Sequence, residues 1–147
     1  MEDLNLPYFE FKIKKDKKNN IIFDEIRKKW VVLTPEEWVR QNFLKYIILK
    51  NYPVSLINCE KSFYINNILK RYDIVVYNKF GDVDLLVECK SSSVKIKKDH
   101  FDQVMRYNTE LKSKNIILTN GINHFYYEYN HKTKNYMQLK DLKEYSI

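Results

Sequence analysis

The chain has 147 residues, 44% of them hydrophobic and 15% aromatic with twelve Tyr, a composition that excludes disorder and suits one packed core. No apolar run approaches the roughly 20 residues that span a bilayer, and the acidic opening MEDLNLPYFEF has no signal-peptide core, so a cytoplasmic protein without a membrane partner is expected. The formal charge of +7 rests on lysine, with only Arg27, Arg40, Arg71 and Arg106 as arginines; it permits a polyanionic partner without establishing one.

In chain order, YFEFKIK alternates, with Phe9, Phe11 and Ile13 on one face, and the polar KDKKNN separates it from IIFDEI, which predicts a peripheral hairpin within residues 1–30. WVVL leads into TPEEW, where Thr34 is placed to cap a helix, Pro35 suits its first position and Glu37 completes a T-x-x-E capping box. Val39, Phe43, Tyr46, Ile47 and Lys50 continue at helical spacing until Pro53. SLINCEKSFYI reads as a strand over about 55–60, with a bend at Asn66 and Asn67. YDIVVYNKFGDVDLLVECK carries two β-rich runs around Gly81 and predicts a hairpin. From Asp99, the positions Phe101, Val104, Met105, Asn108 and Leu111 form a helical stripe, and NIILTNG is a further strand. Strand, helix, strand predicts a right-handed parallel crossover. HFYYEYN and YMQLKDL, joined by HKTKN, close the chain as another hairpin. The expected fold is α/β, a mixed central sheet flanked by helices, in one domain over 1–147 with its core at 34–121 and C-terminal strands at 122–147; no repeat or Gly/Ser/Pro-rich linker divides it.

Cys59 and Cys89 are far apart and outside any C-x-x-C pair, so reduced thiols are expected, and His100, His124 and His131 lack ligand-like spacing. The acids offer more. E-x-K occurs three times, but only Glu88 and Lys90 follow a strand that carries another acid, Asp73. Opposed residues in an antiparallel hairpin have a constant index sum, and 73 with 88 centres the turn between Phe80 and Gly81, so the two carboxylates are expected opposite one another on one face. That arrangement demands a cation or a shared proton. The alternative carries equal weight: Asp73 bonded to a turn or to Arg71, and Glu88 with Lys90 as an edge ion pair. Glu60 reads as a structural partner of Arg71 or Lys61.

TPEEWVRQ (34–41), KRYDIVVY (70–77), LLVECK (85–90), FDQVMRYN (101–108) and TNG (119–121) together resemble the PD-(D/E)XK nuclease superfamily, in particular the domain at the N-terminus of type I restriction enzyme R subunits and its stand-alone relatives. Tyr72 stands where the superfamily's name has proline, a position that varies. The resemblance implies a core of helix, three antiparallel strands, helix and strand. It makes Asp73 and Glu88 ligands of Mg²⁺ or Mn²⁺ with the backbone carbonyl of Cys89, and gives Lys90 the task of orienting or activating the attacking water. Glu36, on a stripe with Val39, Arg40, Phe43 and Ile47, matches the family's helix glutamate, the equal alternative being an acid that merely suits the first helical turn, and Glu37 is left to the cap. Gln103 and Tyr107 match a Q-x-x-x-Y element that places DNA and catalytic residues, with Tyr107, Arg106 and Lys95 as expected nucleic-acid contacts. The expected activity is metal-dependent DNA endonuclease; the alternatives are a silent module that only grips nucleic acid and a structural or protein-binding domain. The chain contains no P-loop, so a second copy or a separate motor or specificity subunit is the expected protein partner.

Overall fold

The computed structural model describes residues 1–145. The predicted N-terminal hairpin carries a third strand: β1 (Ile13–Asp16), β2 (Asn19–Asp24) and β3 (Lys29–Val32) form an antiparallel sheet in that order. The extra turn is built by Asp24, whose Oδ1 accepts from the backbone N–H groups of Ile26 at 2.9 Å and Arg27 at 2.8 Å, which swings the chain back as WVV. Asp24 is fully buried, and its other oxygen takes Arg27 Nε at 2.5 Å and Gln41 Nε2 at 2.9 Å, tying this sheet to the first helix. Asp24→Ala strands Arg27 and Gln41 in that setting and is expected to cost about 3–5 kcal/mol, read as a fall in the urea midpoint; an unchanged midpoint would show that the network is dispensable.

Helix α1 (Pro35–Leu49) begins as its sequence dictates, with Thr34 Oγ1 accepting from the Glu37 N–H at 3.0 Å and Pro35 in the first turn. The capping box does not close. Glu37 is buried, and its carboxylate instead accepts from Arg27, Arg40 and Gln41.

A six-stranded sheet follows in the order β4 (Ile57–Ile65), β5 (Ile68–Tyr77), β6 (Val83–Cys89), β7 (Asn115–Thr119), β8 (His124–Asn130) and β9 (Asn135–Leu139). β4 starts later and runs farther than its sequence predicts, because Asn66 (φ 49°) and Asn67 (φ 62°) both accept left-handed backbone and make a tight two-residue hairpin turn. β6 and β7 are parallel and are linked by α2 (Lys98–Leu111), the expected crossover; the other pairs are antiparallel. Val39, Phe43 and Ile47 of α1 pack with Ile74, Val76, Leu85, Val87, Cys89 and Ile117 on one face of the sheet. Tyr72, Val75 and Leu86 form the other face beneath Tyr107 and Leu111 of α2.

Tyr72 and Ile74 would share a face in a regular strand. Here they lie on opposite faces because β4 and β5 skip a pair between Cys59↔Ile74 and Lys61↔Tyr72, where Glu60 adopts φ 57°. The ribbon therefore rotates at Asp73. Ahead of it all, the N-terminal segment straps the molecule: Asn5 N–H donates to Gly121 O at 2.8 Å, and a Cβ on Gly121 (φ 83°) would meet Leu4 at 2.8 Å. Among the described residues no helix is long and apolar enough to cross a membrane.

Candidate active site

The expected β5–β6 register holds over residues 74–76, but the expected Asp73–Glu88 pair is not formed. Ile74↔Val87, Val75↔Leu86 and Val76↔Leu85 are opposed, and a bulge between Val76 and Tyr77 absorbs the turn. The next step in that register would set Asp73 against Glu88, but there the side chain of Asp73 takes over from the ladder: its Oδ2 accepts from the Cys89 N–H at 2.7 Å. Its Oδ1 lies 3.4 Å from Arg40 Nη1 on α1. Burial first, and then the charge of Glu88, push the Asp73 carboxyl up to about 6, against the opposing pull of the Cys89 amide and Arg40.

Glu88 is held from the other side. Its Oε1 is 3.3 Å from Lys90 Nζ and 3.4 Å from Lys70 Nζ, and Lys70 in turn sits 5.5 Å from the ring of Tyr107 on α2 and 5.7 Å from that of Tyr72. Asp73 is thus tied to α1 through Arg40, and Glu88 to α2 through Lys70, while each acid remains within electrostatic reach of the other. Glu88 Oε2 is buried and has no partner among the described residues. An orphaned carboxylate oxygen in such a place is costly unless something positive occupies the space beside it. The backbone of Lys90 is pinned by its N–H to Thr119 O at 2.8 Å, which fixes the root of its side chain at the end of β6.

The remaining expected site residues are spread around this pair. Glu36 is exposed in the first turn of α1, and its charge is felt at Asp73, so it stands on the site's side of the helix, whereas Glu37 is turned into the Arg27–Arg40–Gln41 network. Tyr107 is half-buried against Lys70; Gln103, four residues earlier, is exposed, as are Arg106 on α2 and Lys95 in the loop before it. Burial pushes the Cys89 thiol well above its usual range, which leaves it a neutral neighbour of Asp73. Among the described residues no three His, Cys, Asp or Glu side chains meet to hold a metal, so an ion here would draw on main-chain or water oxygen besides carboxylate.

Two participants, Arg40 and Lys70, escape a reading of the sequence. Arg40 is buried and shared by Glu37, Glu60 and Asp73; Glu60 also takes Arg71 Nε at 2.5 Å, as expected; and Lys70 is a second cation on Glu88. A lysine three residues before Asp73 was the available signal for Lys70, but its placement depends on the rotation of the ribbon at Glu60 and on a ring supplied by α2. Residues 35–142 match the family described as Type I restriction enzyme R protein N terminus. No curated protein and no solved structure matches the chain.

Proposed function

Because the chain belongs to the Type I restriction enzyme R protein N-terminus family, we propose that it is a metal-dependent endonuclease hydrolysing phosphodiester bonds in DNA. The observation that carries this reading is the buried, unpartnered Oε2 of Glu88, beside an Asp73 whose ionisation is opposed by burial and by Glu88 itself. Two acids in that state have an unmet demand for positive charge despite Arg40, Lys70 and Lys90. A hard divalent ion, Mg²⁺ or Mn²⁺, fits the oxygen donors of Asp73, Glu88 and the Cys89 carbonyl. When bound, such an ion supplies charge for the scissile phosphate and lowers the pKa of a water.

The chain's own residues do the rest. Lys90, held by Glu88 Oε1, orients the attacking water and meets negative charge as it builds on the phosphate. Arg40 fixes Asp73 from α1, and Lys70 fixes Glu88 from the α2 side. Glu36 adds a carboxylate at the rim, while Gln103, Tyr107, Arg106 and Lys95 contact the DNA. Water attacks directly, so the reaction needs no nucleophilic side chain.

Calorimetric titration with Mn²⁺ and nicking of supercoiled plasmid test the reading together. At about 100 times its dissociation constant the ion is expected to stabilise the fold by about 2.7 kcal/mol, with nicking that requires it. Absence of both heat and thermal stabilisation would favour a structural domain. Metal and DNA binding without nicking would leave a module that only grips nucleic acid.

A further inference from the structure

A recess lies on the flank of α2 away from Tyr107. A groove of about 690 Å³ runs between the C-terminal half of that helix and the β8–β9 hairpin, lined among others by Met105, Lys112, Tyr129, His131, Lys134 and Tyr136, with no acidic residue in its lining. Neither Lys112 nor Lys134 has a carboxylate partner among the described residues. The aromatic wall is braced by contacts: Tyr136 donates to Ser113 O at 2.5 Å and takes the Asn108 side-chain amide, and the Tyr129 ring stands edge-on to Tyr136 at 5.3 Å and to His131 at 5.1 Å. Unpaired cations next to aromatic rings match the chemistry of a nucleic-acid strand, which offers a phosphate and a flat base in every unit.

We propose that this groove binds a single strand of nucleic acid, Lys112 and Lys134 taking phosphates and Tyr129 and His131 lying against bases. The assignment rests on the endonuclease reading in that it extends the path of the same substrate. At 100° per residue around α2, Gln103 and Tyr107 lie on the flank toward Lys70, Met105 and Thr109 on the groove flank, and exposed Arg106 between them. A strand leaving the Asp73–Glu88 centre crosses α2 at Arg106 and enters the groove.

Backbone geometry supplies a clean test. Lys112 (φ 52°) and Lys134 (φ 55°) occupy left-handed backbone, as do exposed Lys17 (φ 52°) and Lys28 (φ 53°) in the turns of the first sheet. Glycine is at ease in all four places, so Lys112→Gly/Lys134→Gly and the control Lys17→Gly/Lys28→Gly remove equal charge without straining the fold. Anisotropy of a labelled oligothymidine of about twelve nucleotides is followed across about 50–200 mM salt. The groove variant is expected to flatten the slope of log affinity against log salt by about 1.4, two phosphates at about 0.7 each, and the control to leave it unchanged. An unchanged slope in the groove variant, an equal change in the control, or no oligonucleotide binding by the wild type would overturn the proposal. Wild-type nicking with an unaltered slope would remove the groove and keep the endonuclease; a flattened slope with no nicking would do the reverse.

Discussion

Lys90→Ala is expected to reduce metal-dependent plasmid nicking by about 10²–10³-fold, the loss typical of removing one preorganised donor from a developing charge, while the thermal shift on adding Mn²⁺ survives. The two readouts separate because Glu88 Oε1 has a second ammonium, Lys70 Nζ at 3.4 Å, against 3.3 Å for Lys90. Removing Lys90 therefore leaves Glu88 held and the fold intact. Lys70 is the informative comparison. It is the less exposed of the two, 17% against 26%, and its charge is already engaged with the rings of Tyr72 and Tyr107. Lys70→Ala is expected to lower Tm more and the rate less. Nicking by Lys90→Ala within a few-fold of wild type would remove Lys90 from the chemistry.

Asp73→Asn is expected to raise the stability of the metal-free protein at pH 7.5 and to abolish both nicking and the stabilisation by Mn²⁺. The sign follows from the Asp73 carboxyl, pushed from an ordinary 3.8 up to about 6, by burial first and by Glu88 second. In the window between those values the folded chain keeps a proton that the unfolded chain has released, so stability falls as pH rises through it, and above about 6 the ionised acid carries the full penalty. Asparagine stays neutral and retains an oxygen for the Cys89 N–H now received by Asp73 Oδ2 at 2.7 Å. The advantage of the variant should appear as a Tm higher by about 2–4 °C for each kcal/mol regained and should vanish below pH 4. A variant less stable than wild type at pH 7.5 would show that the Asp73–Arg40 contact outweighs the burial of the charge.

Much of this was legible in the sequence for identifiable reasons. T-P-x-E marked the start of α1 because the cap is a local bond between Thr34 and the Glu37 amide. The β5–β6 register was legible because the hairpin closes locally around Asn78–Asp82, and because the bulge at Tyr77 leaves the pairing of residues 74–76 untouched. The fate of Glu37 was not, since its partners Arg27 and Arg40 converge only when the first sheet docks on α1. Nor was the left-handed backbone at Glu60 visible, as nothing in a glutamate favours positive φ. That one residue decides that Asp73 meets Arg40 on α1. The third N-terminal strand was readable in principle, for Asp24 two residues before Ile26 is a familiar turn signal, but WVV looked equally like an approach to the helix.

The kink at Glu60 also bears on how molecules of this protein meet one another. β4 stands at the outer margin of the sheet, where a straight strand of nine residues would offer neighbouring chains a template for cross-molecular pairing and aggregation. With Glu60 left-handed, engaged by both Arg40 and Arg71, that margin is broken midway. Colloidal solubility and the aim of Asp73 hang on the same residue, so a substitution that straightened β4 would compromise both together.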